Sequence, residues 1–516
     1  MATKEIKTLR LLLGDQLNHH HSWFSNTDKN HIYFITEMEQ ETNYVVHHIQ
    51  KVVAFFKSMR NFADWLTARN HTVIYYKLDD TNNKQDLAKN LDYLIEEHNI
   101  GKFEYQLPDE FRLDEQLKKF CKTISIDSEV YDTEHFFTER DELEKFYEGK
   151  KEYTMEYFYR HMRKKHDVLM VTDKDPEGGK WNFDKSNRKK WKGSPPIPHE
   201  KGFRKDVSEI VSLLEKKNIK TIGSISEDNF NWPTSREDCL NVLNYFSKNL
   251  LNHFGDYQDA MHTDQLYLFH SRLSFAMNSK MLSPKEVLEK TITHWGENKD
   301  EVDVSQIEGF VRQILGWREY MRGMYWKEMP SYRRSNKLDN QNKLPEFYWT
   351  GNTKMNCLHH AIKQSLEEAY AHHIQRLMIT GNFALLTQCH PNEVDEWYLG
   401  IYIDAIEWVE ITNTRGMSQF ADGGIIATKP YVSSGNYINK MSNYCKDCQY
   451  SVSKKTGDNA CPFNSLYWNF LDDKKEYFKD NQRMNMMLSL LNKKSEKELS
   501  VLKERAADII KNPFNY

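Results

Sequence analysis

The segment TLRLLLGDQ, residues 8–16, decides the fold of the first part of the chain. It is a short apolar run that ends in a polar turn, and amphipathic stretches separate it from later runs of the same kind. Those runs are HIYFITE (31–37), TVIYYKL (72–78) and KFEYQLP (102–108). Strand-like runs that alternate with helical patterns are typical of βαβ units. The sequence therefore predicts an α/β domain with a doubly wound parallel sheet.

Polar segments follow the first two predicted strands, GDQL at 14–17 and TEMEQE at 36–41. In parallel sheets the carboxyl ends of the strands line ligand crevices, so these segments are placed where a small molecule binds. No glycine-rich phosphate motif such as GxGxxG accompanies them. Ordinary loop hydrogen bonding is the alternative interpretation.

The chain is long enough for more than one hydrophobic core. It has 516 residues, 39% of them hydrophobic, whereas single cores stop growing at about 250–300 residues. After about residue 225, strand signals are nearly absent and apolar residues recur at helical spacing. We predict three parts: an α/β domain at 1–134, a linker at 135–225 and an all-α domain at 226–516.

Targeting and membrane signals are absent from the sequence. There is no basic segment followed by an apolar one at the N-terminus, and no apolar run approaches the ~18 residues of a membrane helix. We therefore expect a cytoplasmic protein without a membrane partner, and a monomer. The formal net charge of −4 does not identify a partner, because nucleic-acid binding depends on where the positive charge lies.

Positive charge is concentrated in one segment. Between Arg160 and Lys192 there are 11 Lys or Arg against 5 Asp or Glu, interleaved with Trp181, Phe183 and Trp191. Such a loop suits a phosphate backbone. A solvated linker with a few anchoring aromatic residues explains it equally well.

Three of the 7 cysteines lie in NYCKDCQYSVSKKTGDNACPF, residues 443–463. The spacing Cys445-x2-Cys448-x12-Cys461 supplies three thiolates to one zinc ion or one iron–sulfur cluster, and the proline after Cys461 slightly favours iron. A fourth ligand is needed. The candidates are Cys357, Cys389, His390, Cys121 and Cys239, of which the last two are more typical of apolar core positions. Three unligated thiols are the alternative.

Two further motifs suggest a family. HSRLSFAMNSKMLSP (270–284) and QILGWREYMRGMYW (313–326) resemble the flavin-binding helical domain of photolyases and cryptochromes. The run from Tyr402 to Ile438, together with the cysteines, resembles one branch, the prokaryotic iron–sulfur photolyases and cryptochromes, or deoxyribodipyrimidine photolyase-related proteins. The resemblance covers almost the whole chain. It implies the photolyase/cryptochrome fold and light-driven repair of (6-4) photoproducts in UV-damaged DNA.

The resemblance also implies cofactors. Its [4Fe–4S] cluster would be held by Cys357, Cys445, Cys448 and Cys461. FAD would bind the helical domain, with Glu410 facing flavin N5. The implied flavin residues are His270, Ser271, Arg272, Leu273, Ser274, Asp404, Glu410 and Asn413. An antenna chromophore, 6,7-dimethyl-8-ribityllumazine, would bind the first domain at Asp15, Glu37 and Glu41.

The segment HHIQR matches the lesion pocket of that branch. A histidine pair on its own more often makes structural hydrogen bonds, but the match implies that His373 donates a proton to the lesion and His372 supports it. Arg376 would contact a phosphate, and Tyr431 would lie near the flipped base. The segment EGGKWNFDKSNR (177–188) matches a family signature and would contact DNA.

Electron transfer and divalent cations complete these expectations. Trp349, Trp397 and Tyr398 match the proposed electron relay of the branch, although most tryptophans serve packing. Asp184 and Asp259 are candidates for a divalent-cation site such as Mg²⁺. Two other functions remain open from the sequence: a blue-light photoreceptor without repair activity, and a zinc-stabilised nucleic-acid-binding protein without flavin.

Overall fold

A parallel five-stranded sheet forms the first part of the chain. The computed structural model describes residues 6–516. The strands are β1 (Thr8–Leu11), β2 (His31–Thr36), β3 (Thr72–Tyr76), β4 (Lys102–Gln106) and β5 (Asp127–Tyr131). Their order is β3-β2-β1-β4-β5, so the chain begins in the middle of the sheet and winds outward on both sides. This confirms the predicted doubly wound fold, and β5 adds a strand that the sequence analysis did not identify.

The central strands are buried because helices cover the sheet. Leu9 of β1 pairs with Ile32 on one side and Phe103 on the other, and all three side chains are buried. Parallel sheets are usually covered in this way. The helices of this part are α1 (Glu39–Thr42), α2 (Ile49–Thr67), α3 (Leu87–Glu97) and α4 (Phe111–Cys121).

The segment predicted as a linker contains three helices, α5 (Glu142–Phe146), α6 (Met155–Lys165) and α7 (Ser208–Lys216). Leu143 and Phe158 are buried in the same core as Leu315 and Tyr320 of the helical part. Helices α5 and α6 therefore pack with the helical part, and irregular chain follows them. The boundaries at 134 and 225 stay a prediction.

The rest of the chain is helical, as predicted. The helices up to the cysteine loop are α8 (Arg236–Asn249), α9 (Leu251–Tyr257), α10 (Ser274–Asn278), α11 (Pro284–Glu297), α12 (Val304–Val311), α13 (Glu319–Glu328), α14 (Asn356–Glu368), α15 (His373–Gln375), α16 (Asn382–Leu386), α17 (Pro391–Ile401), α18 (Glu407–Ile411) and α19 (Gly435–Met441). Those after it are α20 (Pro462–Asp473), α21 (Lys475–Phe478), α22 (Asn485–Asn492) and α23 (Glu496–Lys511). Several begin at side-chain caps; Ser235, for example, accepts a hydrogen bond from the amide of Asp238.

Three helices contain π-helical segments, at Arg312–Arg318, Arg376–Gly381 and Thr412–Ser418. Such segments are rare and occur frequently at functional sites. Two of them carry residues predicted from the sequence, Arg376 and Asn413. The local helix geometry thus marks the same region as the motifs.

The sheet and the helical part are joined at His48. Its Nε2 lies 2.8 Å from the carbonyl oxygen of Leu366 in α14, and its amide donates to the carbonyl of Gly400 in α17. Gly223 lies against the imidazole with φ of +76°, and a Cβ there would be 1.9 Å from Nε2, so only glycine fits. None of the helices described for residues 6–516 is long and apolar enough to cross a bilayer.

Candidate functional site

Arg376 and Asp404 form a buried ion pair at the centre of the helical part. The guanidinium donates to both carboxylate oxygens, at 2.9 and 3.2 Å, and stacks on Tyr402 with 3.8 Å between Cζ and the ring centroid. Burial raises the pKa of Asp404, but the charge of Arg376 outweighs it and the net shift is downward. Ser274 also hydrogen-bonds this carboxylate. Arg376, predicted for the lesion, therefore contacts Asp404, predicted for the flavin, and Asp404 in turn contacts Ser274.

The two histidines of HHIQR have different environments. His372 is 3% exposed, and its ring stacks on that of His270 with 4.7 Å between centroids. His373 is accessible to solvent, yet enclosed by enough protein that burial, with the nearby Arg376, lowers its pKa to about 4. The imidazole of His373 is therefore open to solvent, whereas that of His372 is not. Of the pair, His373 is thus the one available to a ligand.

The remaining residues of the HSRLS motif are held by the protein itself. Arg272 has φ of +57° and donates to Glu200 at 3.0 Å and to the carbonyl of Asn231 at 2.8 Å. Ser271 Oγ accepts from the amide of Leu273 at 3.4 Å, and Leu273 is buried. Arg272 would have to leave these partners to contact a pyrophosphate.

Glu410 is buried beside a second carboxyl group, Asp395. Burial first, and then Asp395, raise the pKa of Glu410 well above its usual value, and its Oε1 has no hydrogen-bond partner among the described residues. Burial also raises the pKa of Asp395 to about 7, although Arg415 contacts it at 2.5 Å. Asn413, also predicted for the flavin, donates to the carbonyl of Val409 at 2.7 Å.

Tyr431 lies next to the predicted DNA-contacting loop. Arg188, Asp184 and Asp259 are close enough to it to act on the pKa of its hydroxyl, which burial raises. Burial and the neighbouring Asp184 raise the pKa of Asp259 to about 6, against the effect of Arg188. Asp184 also lies 3.5 Å from Arg312. The structure therefore brings together both candidate cation ligands and the predicted lesion tyrosine.

The loop at 177–188, which is predicted to contact DNA, is anchored by buried groups of α12. The amide of Phe183 donates to Glu308 at 3.1 Å, and Asn187 donates to the carbonyl of Ser305 at 3.3 Å. Its basic side chains Lys185 and Arg188 are exposed. The backbone is thus held while positive charge faces outward.

The four cysteines predicted as cluster ligands line one small cavity. Burial raises the pKa of Cys357 well above its usual value, with further increases from Cys461, Cys445 and Cys448. A Cβ at Gly435 would lie 2.8 Å from the Cys461 sulfur. Among the described residues no three His, Cys, Asp or Glu side chains are placed to hold one metal ion. What the four thiols have in common is that all of them line this cavity.

The other cysteines lie elsewhere. Cys389 is buried and its Sγ lies 3.4 Å from the carbonyl oxygen of Lys343, and Cys239 is buried 4.0 Å from the Met281 sulfur. Cys121 packs against the core of the first part. None of the three lines the cysteine cavity, so Cys357 is the one candidate cysteine, of those considered for the fourth ligand, that joins the loop.

Aromatic rings form a continuous series beside the Arg376–Asp404 pair. The ring of Trp397 lies 5.0 Å from Tyr348 and 5.3 Å from Tyr398. The Tyr398 hydroxyl donates to the carbonyl of Arg376 at 2.6 Å. Trp349 is 43% exposed and follows Tyr348 in the chain. The rings of Tyr348, Trp397 and Tyr398 therefore form one series that ends at Arg376; Tyr348 was not predicted, and Trp349 adjoins the series only along the chain.

A crevice of about 130 Å³ opens at the carboxyl ends of β1, β2 and β4. Asp15 and Glu41 line it, as predicted, together with apolar side chains of α2. Glu37 is not among the lining residues; it accepts hydrogen bonds from Arg60 and Tyr75, both at 2.7 Å. The predicted group of three acids is therefore divided between the crevice and a structural ion pair.

Comparison with known proteins agrees with this architecture. The family model described as deoxyribodipyrimidine photo-lyase-related protein matches residues 10–232. A (6-4) photolyase of Agrobacterium fabrum is 40% identical over 506 residues, 98% of this chain and 99% of that protein. The chain belongs to the deoxyribodipyrimidine photolyase-related family.

Solved structures show the fold that this photolyase-related protein shares. A bacterial class III photolyase from Agrobacterium tumefaciens superposes with a TM-score of 0.57 at 12% identity, covering 100% of this chain and 99% of that one. A cryptochrome of Synechocystis sp. PCC6803 gives 0.54 at 10% identity, covering 92% and 94%. Both likenesses support the photolyase and cryptochrome architecture.

Some site residues of this photolyase-related protein were not predicted. Lys280 is 1% exposed and pairs with Asp15 at 2.8 Å and with Asp109 at 2.7 Å at the crevice beside the sheet. Glu110 lines the same crevice, and burial raises its pKa to about 7. Lys280 belongs to the motif HSRLSFAMNSKMLSP, but nothing in the local spacing of that motif indicates that its side chain reaches the sheet.

Proposed function

We propose that this protein is a light-driven DNA repair enzyme that acts on (6-4) pyrimidine-pyrimidone photoproducts. The observation that carries the proposal is the 40% identity to a (6-4) photolyase over 98% of the chain. The environments of the HHIQR side chains support it. The enzyme class is that of a DNA photolyase.

The proposed proton donor is His373. It is the solvent-accessible member of the histidine pair, and a histidine proton is transferable near neutral pH. Because burial and Arg376 lower its pKa to about 4, His373 is neutral at pH 7 in the free protein. Nearby DNA phosphates would raise this pKa, so that DNA binding and protonation are coupled. Arg376 is fixed by Asp404 and adds positive charge near the same phosphates.

The lesion would reach His373 by leaving the duplex. Extrusion costs a few kcal/mol and least where base pairing is already broken, which favours damaged sites. Tyr431 would lie near the flipped base, and Arg188 and Lys185 of the loop at 177–188 would bind flanking phosphates. Asp184 and Asp259 would bind a divalent cation such as Mg²⁺ jointly with DNA phosphate, since two carboxylates alone leave most of its coordination shell open.

The flavin would bind the helical part around Asp404. Several buried polar atoms there have no partner among the described residues, including Glu410 Oε1, His270 Nε2 and Trp408 Nε1. Buried polar atoms are rarely left unpaired, so this region fits a polar cofactor. Bound and reduced FAD supplies, under blue light, the electron for repair. We assign the holding of FAD to His270, Ser271, Arg272, Leu273, Ser274, Asp404, Glu410 and Asn413.

Four thiols around one cavity are a donor set for a [4Fe–4S] cluster. Cys357 comes from α14, whereas Cys445, Cys448 and Cys461 come from the loop before α20. A cluster would therefore cross-link two parts of the helical layer, and its binding free energy would contribute to folding. We propose a structural role first.

The crevice beside the sheet is proposed to hold the antenna, 6,7-dimethyl-8-ribityllumazine. Its walls are apolar around polar groups, which suits a ring with a hydroxylated chain. Asp15 and Glu41 would bind it. For photoreduction we propose the series Trp349, Tyr348, Trp397 and Tyr398 as the electron relay.

The experiment is to illuminate photoreduced protein with an oligonucleotide that carries one (6-4) lesion and to follow the near-ultraviolet absorbance of the lesion. We expect its loss in blue light and not in the dark. An unchanged lesion, with protein that still binds flavin and responds to light, would favour a photoreceptor instead. A colourless protein that contains zinc would overturn both.

A further inference from the structure

His270 and His372 belong to different motifs, yet their rings lie flat against each other. The centroids are 4.7 Å apart and the planes differ by 16°. His270 precedes α10 and was predicted for the flavin, whereas His372 precedes α15 and was predicted for the lesion. The stack joins the two predicted sites through one side-chain contact.

The ring of His270 is held on a second side as well. Phe254 meets it edge-on, with 5.9 Å between centroids, and the amide of His270 donates to the carbonyl of Tyr267 at 2.9 Å. Its Nε2 is buried and has no hydrogen-bond partner among the described residues. A ring packed on Phe254 and His372 has little freedom to turn.

His372 is more deeply buried and has two unpartnered nitrogens. It is 3% exposed, and neither Nδ1 nor Nε2 has a hydrogen-bond partner in the described part of the chain. The backbone carbonyl of Ala260 lies beside the ring and opposes the lowering of its pKa. Because a buried nitrogen without a partner is costly, these atoms indicate a polar group from outside the chain.

The charged and titratable groups facing the stack are all basic. His373 faces both rings, and Arg376, itself bound to Asp404, faces His372. Burial first, and then these neighbours, lower the pKa of His372 well below its usual value. Burial lowers that of His270 to about 4, with a small opposing effect from the carbonyl of Gln258. Two rings in contact resist a second proton, because like charges repel.

We propose that His270 is a positioning residue for the repair reaction: its stacked ring holds His372 in one orientation, beside His373, which carries the transferable proton. His270 acts through His372 and donates no proton itself. The inference rests on the proposed function, because it concerns the pocket that would receive the lesion.

The test compares His270→Ala, which removes the stacked ring, with His270→Phe, which keeps a flat ring without nitrogen. His253→Ala is the matched control, because His253 packs on Phe269 at 5.2 Å outside the HHIQR pocket. Single-turnover repair and lesion affinity are measured from pH 6 to 9. We expect H270A to repair at least tenfold more slowly with an affinity within twofold, and to shift the pH optimum. His270 is also assigned to FAD, so rates are compared at equal bound flavin; H270F should then repair faster than H270A, and H253A should match the unmodified protein.

A second measurement does not depend on repair. Histidine ring proton resonances are titrated by NMR in protein without DNA, and His372 is assigned with a His372→Ala variant. We expect His372 to remain neutral down to pH 5 in the unmodified protein and to titrate above pH 5 in H270A, because water reaches it.

The outcomes separate the two proposals. If H270A repairs with the normal rate and pH profile and His372 titrates normally, the positioning role is wrong. If the unmodified protein repairs no lesion, the proposed function fails and the NMR titration alone decides the role of His270. Should H270A fail to fold, His270→Gln replaces it, and a normal rate and pH profile in H270Q overturns the inference.

Discussion

The ammonium group of Lys190 donates a hydrogen bond to the backbone carbonyl of Asn439 across 3.0 Å. Lys190 follows the DNA-contacting loop, and Asn439 lies in α19, whose first residue Gly435 packs against Cys461. The residue after Lys190, Trp191, packs on His262 with 5.0 Å between ring centroids. The cysteine cavity and the proposed DNA surface therefore belong to one structural unit.

The first prediction concerns this unit. If the cavity holds the proposed cluster, Cys357→Ser should abolish iron binding and lower the thermal midpoint, because the loop then loses its link to α14. DNA affinity should fall as well, by about tenfold or more, since the ordering free energy of the site is lost. Iron content, thermal unfolding and fluorescence anisotropy measure these effects. Cys389→Ser is the control. Cys389 is buried outside the cavity, so this variant should bind the same amount of iron as the unmodified protein.

The second prediction concerns His373. His373→Ala should reduce repair by about 10²–10⁴-fold, the usual contribution of a general acid, while flavin binding and lesion affinity stay nearly unchanged. In the unmodified protein the rate should fall as the pH rises above neutrality. The pKa of His373 is about 4 in the free protein. Bound DNA raises this pKa, and the proton needed for repair is still lost at high pH. Flash-induced repair across pH 6–9 tests both statements. A rate that is independent of pH would contradict them.

The third prediction is acid sensitivity at the joint between sheet and helices. His48 is fully buried, and burial lowers its pKa to about 4 from 6.5. Below pH 6.5 the unfolded chain therefore binds a proton at His48 that the folded protein does not bind. The free energy of unfolding decreases as the pH falls from 6.5 to 4. The shift corresponds to about 3 kcal/mol.

Urea unfolding at pH 7.5 and pH 5 measures this loss. His48→Gln keeps a donor for the carbonyl of Leu366 and should flatten the pH dependence at some cost in stability at pH 7.5. His294→Gln, at a half-buried position of α11, should leave it unchanged. Equal slopes in all three proteins would refute the assignment.

The fourth prediction separates the acids assigned to the antenna. Asp15→Asn should weaken lumazine binding about tenfold, because Asp15 lines the crevice. Glu37→Gln should leave the affinity within twofold but destabilise the fold by about 1–3 kcal/mol, because the buried Glu37 loses its charge-assisted hydrogen bonds, while Arg60 keeps Glu209 at 3.1 Å. Lumazine fluorescence and chemical unfolding give the two readouts. If E37Q bound lumazine more weakly and D15N did not, Glu37 rather than Asp15 would belong to the lumazine site.

The fifth prediction concerns the electron relay. Trp397→Phe should slow photoreduction of the flavin at least tenfold, because Trp397 contacts both Tyr348 and Tyr398 and is the central ring of the series. Repair by chemically reduced protein should be unaffected. Trp65→Phe, whose ring stacks on Phe62 in the first part of the chain, is the matched control. Normal photoreduction in W397F would exclude this route.

Much of the architecture could be predicted from the sequence. The alternation from TLRLLLGDQ onward predicted the parallel sheet, and the helical spacing after residue 225 predicted the helical part; both are confirmed. The strand β5 was missed because DSEVY is polar and exposed at the sheet edge. Helices α5 and α6 lay in the predicted linker, since their packing on α13 has no local signal.

The sequence by itself determined the fold class and the family, because strand and helix periods and the order of motifs are properties of neighbouring residues. Only the tertiary structure decided which side chains meet. It placed His270 against His372, Arg376 against Asp404, and Lys280 between Asp15 and Asp109, and it separated Glu37 from the crevice that Asp15 and Glu41 line. The physical reason is that these contacts join residues far apart in the chain, and their distances depend on how whole helices and strands pack.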